Sequence, residues 1–195
     1  MAALGTCVCI TVLIVNVSAQ LQYEDNPQNF AWQRASDLTG VGESLYVKIR
    51  SRLLNEIPPC YAMRRVLQNS VKSFNYAVAH MIYGRPDRLN RYATPLVTSR
   101  TPYHPHANAV AFHLTSGSPR MTRFKVMYGD PTRSCFILIK YPTSRHRECI
   151  LLQTSSTVEG PIHAECLRIY LQSCNRDTVV VYQRGCKELL RIDVA

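Results

Sequence analysis

From Leu45 the apolar and polar positions alternate, Leu45, Val47, Ile49 and Leu53 against Tyr46, Lys48, Arg50 and Arg52. A period of two predicts a strand with one buried face. Asn55 to Pro59 then turns the chain, because Pro58 and Pro59 cannot continue a hydrogen-bonded ladder. Further strands are predicted over Cys60–Gln68, Val71–Tyr83, Arg91–Arg100, Ala107–Thr115, Arg120–Tyr128, Ser134–Tyr141 and Arg147–Ser155. The breaks hold turn residues: Gly84-Arg85-Pro86-Asp87, Thr101-Pro102 with Pro105, Ser116-Gly117-Ser118-Pro119, Gly129-Asp130-Pro131 and Pro142-Thr143-Ser144. Short strands in meander order predict an up-and-down antiparallel barrel, with two packed sheets as the alternative.

The period changes at both ends. Tyr23 to Phe30 reads as an extended lead-in, and Phe30 to Leu38 as a short helix around Trp32, broken by Gly40 and Gly42. After the last barrel strand, Ile162, Cys166, Ile169, Tyr170 and Cys174 fall on one face of a helix, with Pro161 near its first turn. The two preceding strands are apolar at consecutive positions, Cys135 to Ile139 and Cys149 to Leu152. Such runs are expected where one face lines the barrel and the other lies beneath this helix. Val179 to Tyr182 is a short extended segment ahead of Cys186.

Residues 1–19 read as a secretory leader: an apolar run from Cys7 to Val15, then Val17-Ser18-Ala19 as a cleavage site. A domain over residues 20–195 remains, secreted and extracellular. Of 8 cysteines, Cys7 and Cys9 leave with the leader; Cys60, Cys135, Cys149, Cys166, Cys174 and Cys186 stay. An even count in an exported chain reads as a disulfide framework. Six cysteines admit 15 pairings, and the geometry favours joining the helix to the two strands beneath it. The only Asn-x-Ser/Thr acceptor, Asn16, lies in the leader.

The formal charge is +10, from 23 basic and 13 acidic residues. A surface of this kind attracts nucleic acid, heparin-like polyanions or acidic membranes. No nucleic-acid motif accompanies it, so it is read as a solvated basic surface, with neither nucleic acid nor membrane as partner. There is no nucleophile elbow, phosphate loop or paired-carboxylate arrangement, so no enzyme and no cofactor are expected. His104-Pro105-His106 is read as a solvated loop rather than a metal site.

The Trp32 helix, Tyr46-Val47-Lys48, the turn ending in Cys60 and above all the block from Met127 to Cys186 resemble the tick salivary lipocalins of the histamine-binding family. In that block Cys135 and Cys149 lie on successive strands, Cys166, Tyr170 and Cys174 on a helix, and Tyr182 and Cys186 beyond it. The resemblance implies an all-β fold: an eight-stranded antiparallel up-and-down barrel with a short N-terminal helix and a C-terminal helix packed outside. It implies the bridges Cys60–Cys186, Cys135–Cys166 and Cys149–Cys174. It also implies a monomer whose hollow interior sequesters one small host mediator, a lipid or a biogenic amine such as histamine. The alternative is an inhibitor that binds a host plasma protein of complement or coagulation through its basic surface and loops.

One departure alters the expected guest. Amine-binding members carry Asp after the first strand cysteine and Glu-Leu-Trp or Glu-Leu-Tyr in the next strand. Here Phe136 and Ile150-Leu151-Leu152 stand instead. A cationic amine in an apolar cavity needs a carboxylate or an aromatic cage. The remaining candidates are Phe74, Tyr76, His80, Phe112 and Phe124 as lining, with Val78 and Ile82 on the same face as Tyr76. Arg50 and Arg52 are expected at the mouth, a set suited to an apolar body with an anionic head.

Overall fold

The computed structural model describes residues 21–190; the leader expected over residues 1–19 lies outside them. Among the described residues the strands are β1 Leu45–Ser51, β2 Ala62–Ser70, β3 Ser73–Ile82, β4 Arg85–Ser99, β5 Ala109–Phe112, β6 Thr122–Asp130, β7 Cys135–Lys140, β8 Cys149–Thr154 and β9 Thr178–Val180. They form one antiparallel sheet in the order β2-β3-β4-β5-β6-β7-β8-β1. Leu45 pairs with Met63 and Tyr46 with Ala62, so β1 and β2 close eight strands into a barrel. β9 fills the rest of that seam by pairing with Ile49, Arg50 and Ser51.

Two local expectations are corrected. β4 begins at Arg85, inside the stretch read as a four-residue turn. Gly84 alone supplies the left-handed backbone (φ 71°) that the hairpin needs, and a proline is tolerated at the second position of the new strand. The helix expected over Phe30–Leu38 is split into a 3-10 segment, Pro27–Trp32, and α1, Ala35–Thr39. Buried Gln33 breaks it with φ −116° and ψ 34°, and its side-chain amide donates to the Tyr23 carbonyl at 3.0 Å.

Each face of β7 and β8 has its own cover. Phe136, Leu138, Ile150 and Leu152 join the inner cluster. Cys135, Ile137, Ile139, Cys149 and Leu151 pack outward against Cys166, Ile169 and Tyr170 of α2, Ala164–Ser173. Each fully buried aliphatic side chain contributes roughly 1.5–3 kcal/mol, which explains the continuous apolar runs. Cys135–Cys166 and Cys149–Cys174 tie the helix to the two strands, with Cα separations of 6.5 and 5.9 Å. Cys60–Cys186 ties the start of β2 to α3, Cys186–Leu190, at 5.2 Å. These pairs match those implied by the resemblance. At the N-terminus, buried Glu24 accepts two hydrogen bonds from Arg147, at 3.0 and 2.8 Å, which clasps the lead-in to the barrel.

Within the loop expected to be solvated, the His104 side chain is not. His104 is buried, its ring nitrogens reach the His106 carbonyl and the Gln33 amide at 2.9 and 3.2 Å, and Phe30 lies 4.2 Å away. His104 and His106 pack on the N-terminal segment and pair their ring nitrogens, while Tyr103 and Pro105 beside and between them stay exposed.

Candidate ligand site

Register fixes which side chains enter the barrel, because partners in an antiparallel ladder share a face. Val47 pairs with Leu152, both in the inner cluster. A bulge follows, so Ile49 and its partner Leu151 point out toward α2. Arg50 then pairs with Ile150 and points in. On β3, Phe74, Tyr76 and Val78 are inward and buried, and His80 continues the series. Ile82 leaves it, 39% exposed, because the register shifts after Met81. Phe112 and Phe124 face each other across β5 and β6, with ring centroids 5.6 Å apart.

Arg50 organises one end of the barrel, the mouth, where the β1–β2 and β3–β4 connections lie. It is 6% exposed. Its Nε donates to the Ile57 carbonyl at 2.9 Å, and one terminal nitrogen donates to the Ser51 and Arg52 carbonyls at 3.1 and 3.0 Å. The other terminal nitrogen donates to the Tyr83 hydroxyl at 3.2 Å. These four bonds leave one of the five guanidinium N–H groups unused. All four acceptors are neutral. The bonds hold the β1–β2 loop across the opening, where Leu54 and Ile57 are fully buried as a plug.

A second cluster lies beside the plug. The Tyr61 ring stacks on His80 with centroids 5.9 Å apart, and the Tyr61 and Tyr92 hydroxyls are 3.2 Å apart. The Tyr92 hydroxyl donates to the His113 carbonyl at 3.2 Å. His80 Nδ1 donates to the Met81 carbonyl at 2.9 Å, which leaves Nε2 to accept from Asn90 at 3.4 Å. Burial holds the His80 pKa below its usual value and lifts Tyr92 to about 12. Deeper inside, the Tyr76 hydroxyl is buried and meets no hydrogen-bond partner, and its pKa is pushed up to about 12, chiefly by desolvation.

The hollow interior expected from the resemblance is filled. Met63, Tyr76, Val78, Phe112, Phe124, Phe136 and Leu138 are each at most 1% exposed, and Phe74 is 4% exposed. An eight-stranded barrel is just wide enough for side chains or for one small ligand; here side chains occupy it. Arg52 is a second correction. β1 ends at Ser51, the chain turns, and Arg52 pairs on the surface with Asp177 at 2.8 Å. The structure thus brings Arg50 and His80 to the mouth, sets Tyr76, Phe112 and Phe124 in the middle, and places Phe74 toward the far end, where it borders a surface groove of about 600 Å³.

The sequence reading missed Tyr61, Tyr83 and Tyr92. Tyr92 carried a usable signal: Tyr92, Thr94, Leu96 and Thr98 alternate along one face of a strand. Among the described residues the buried carboxylates are Glu24, held by Arg147, and Asp130, which caps the β6–β7 turn. Glu148, which the end of the β7–β8 ladder brings to the rim, is already paired with Lys140 at 3.0 Å.

No family model matches the sequence, and no match is found among the curated proteins. Solved structures do match in shape. Japanin from Rhipicephalus appendiculatus, bound to cholesterol, superposes with a TM-score of 0.52 at 17% identity, over 73% of this chain and 93% of that one. The serotonin complex of AM182 gives 0.57 at 13% identity, over 80% and 92%. Lobster apocrustacyanin A1 gives 0.53 at 10%, over 80% and 84%. The chain has the lipocalin fold. At these identities the likeness speaks for architecture alone. The closed eight-stranded antiparallel barrel carries that likeness.

Proposed function

We propose that this lipocalin is a secreted carrier of the tick salivary, histamine-binding kind. In this reading it takes one small host mediator into its barrel and so dampens host defence, without catalysis. The favoured guest has an apolar body and an anionic head, as in a fatty acid or eicosanoid carboxylate, rather than a biogenic amine. The observation that carries this is Arg50, a buried cation aimed into the barrel mouth with four neutral acceptors and no carboxylate. A buried, unpaired charge is costly for a fold to keep. A carboxylate guest would neutralise it through a charge-assisted hydrogen bond. The Tyr76 hydroxyl, which has no partner among the described residues, supplies a donor farther along the same apolar interior. Solved structures of similar shape, Japanin with cholesterol and AM182 with serotonin, are of proteins in complex with small molecules, which supports the same use of the barrel here.

Because the interior is packed, uptake requires the Leu54–Ile57 plug to lift and the inner side chains to repack. Binding is therefore expected to be slow in onset and to release the β1–β2 loop. The test is displacement of a fluorescent fatty acid, run beside histamine and serotonin titrations and native mass spectrometry of the exported protein. Saturable fatty-acid uptake at one site, with neither amine competing, is the expected result. Failure to take up any of the three rejects the carrier reading; tighter binding of an amine rejects the choice of guest.

A further inference from the structure

The end of the barrel opposite the mouth carries features that the carrier reading does not use. The β2–β3 hairpin projects past the start of β1, whose last pairing with β2 is at Met63. Every residue of β2 from Val66 to Ser70 is exposed. The apolar side chains on this projection stand in water: Leu67 is 56% exposed, and Val71, at the turn, is 85% exposed. The end of β4 is fastened to the tip where the Thr98 N–H donates to the Lys72 carbonyl at 2.9 Å, and the β4–β5 loop that follows shares a groove with the tip through His106 and Ala107. It holds Tyr103 fully out in solvent.

Cations surround these residues. Arg34, Lys72 and Arg100 are exposed, and Arg65 donates to the Thr39 carbonyl at 2.6 Å across the intervening groove. That groove and the neighbouring hollow beneath Tyr103 have volumes of about 600 and 530 Å³, and no carboxylate lines either one. Asp37 and Glu43 line an adjoining cleft that meets the groove at Ser36 and Gly40 and extends to the β6–β7 turn.

We propose that this end of the barrel docks on an anionic phospholipid surface. Leu67, Val71 and Tyr103 enter the interface, while Arg34, Lys72 and Arg100 meet the headgroups. Exposed aliphatic side chains gain by leaving water for the acyl boundary, and tyrosine suits the headgroup level. Cations gain from the surface potential of an anionic leaflet. A soluble polyanion would satisfy the cations yet leave Leu67 and Val71 wet, so the combination favours lipid. The docking is peripheral: among the described residues no helix is long and apolar enough to cross a membrane. The proposal departs from the expectation of no membrane partner and does not depend on what the barrel holds.

The experiment is co-sedimentation of the exported protein with phosphatidylcholine vesicles, with and without ~30 mol% phosphatidylserine, near physiological ionic strength, where charges more than roughly 8 Å apart are largely screened. Binding is expected only to the anionic vesicles. Leu67→Ser/Val71→Ser/Tyr103→Ser should weaken it at least tenfold with no change in the unfolding midpoint, since these side chains are exposed. Arg34→Gln/Lys72→Gln/Arg100→Gln should weaken it as much and flatten its salt dependence. Equal binding to neutral vesicles, or a triple-serine variant that binds like the parent, overturns the proposal. A parent dimer that the triple-serine change converts to monomer would overturn it too, by assigning the apolar tip to a second copy.

Discussion

Replacing Tyr76 by phenylalanine should make this protein more stable and a poorer binder. The Tyr76 side chain is 1% exposed inside the barrel, and its hydroxyl has no partner. A buried hydroxyl without a hydrogen bond costs roughly 1–3 kcal/mol. Removing the oxygen recovers that cost and leaves a gap of about an atom, worth a few tenths of a kcal/mol at ~24 cal/mol per Å³ of cavity. The net gain should be about 1 kcal/mol, or roughly 2–4 °C in Tm for a chain of this size. Denaturant unfolding of both proteins with the disulfides intact measures it. If the hydroxyl serves the guest, fatty-acid affinity should fall by about tenfold in the same variant, since a site built to bond an acceptor loses about 1.4 kcal/mol per decade. A loss of stability of 0.5 kcal/mol or more would show that the hydroxyl is satisfied within the fold, and the reasoning from an orphaned donor would fail.

Three further outcomes are expected. Arg50→Met removes four charge-assisted bonds, while the Ser51 and Ile57 carbonyls keep the Leu54 N–H and the Tyr83 hydroxyl as donors, so it should cost about 2 kcal/mol. It should also speed amide exchange across residues 52–60 and erase the preference for a fatty acid over the matching alcohol; unchanged exchange there would refute the role as latch. Burial depresses the pKa of both His80 and His104 below the ordinary 6.5. Between the depressed values and 6.5 the unfolded chain holds more protons, so their contribution is complete above about pH 6.5 and is lost as pH falls below it. Unfolding midpoints at pH 7.5 and 5.5 should show this loss, and His80→Gln with His104→Gln should flatten it; a rise in stability on acidification would contradict the assignment. Among the bridges, Cys60–Cys186 spans 126 residues, against 31 and 25 for the others. Chain entropy alone makes it worth about 5 kcal/mol against about 3.5, so its paired serine replacement should lower the midpoint most, and a smaller loss than for either short bridge would rule that out.

The parts of this fold that were legible in the sequence are those where one physical constraint acts alone. Cys135 to Ile139 and Cys149 to Leu152 are apolar without a break because both faces of β7 and β8 are covered, and the helical spacing of Cys166, Ile169 and Tyr170 names the cover. Inward Phe74, Tyr76 and Val78 follow from simple alternation on a long, unbroken β3. Reading fails where the backbone departs from that period. The bulge after Val47 puts Ile49 outside and Arg50 inside, reversing the simple alternation, and nothing in the residues Val47-Lys48-Ile49 announces it. The end of β1 at Ser51 depends on a backbone bond from Arg52 to Asp177, a partner more than a hundred residues away.

The filled interior was illegible for a different reason. Whether a barrel of this size is hollow depends on what its ends supply, and Leu54, Ile57 and Tyr61 come from a turn and its exit rather than from the strand faces. Their identity as plug residues rests on Arg50, which draws the Ile57 carbonyl across the mouth, and on Tyr92, whose hydroxyl meets that of Tyr61. The plug is thus held by polar bonds around an apolar centre, the Ile57 carbonyl accepting from both Arg50 and the Tyr83 hydroxyl. A carboxylate arriving at the spare Arg50 N–H would loosen the attachment of Ile57 and bring an acyl chain to the opening where Leu54 and Ile57 had been. Under the proposed function such an exchange would reconcile a packed barrel with a carrier and tie affinity to the strength of the latch: variants that weaken the bonds at the mouth without removing the charge, such as Tyr83→Phe, should bind the fatty acid faster than the parent. Stopped-flow uptake measures this, and an unchanged on-rate in Tyr83→Phe would separate the plug from the path of the guest.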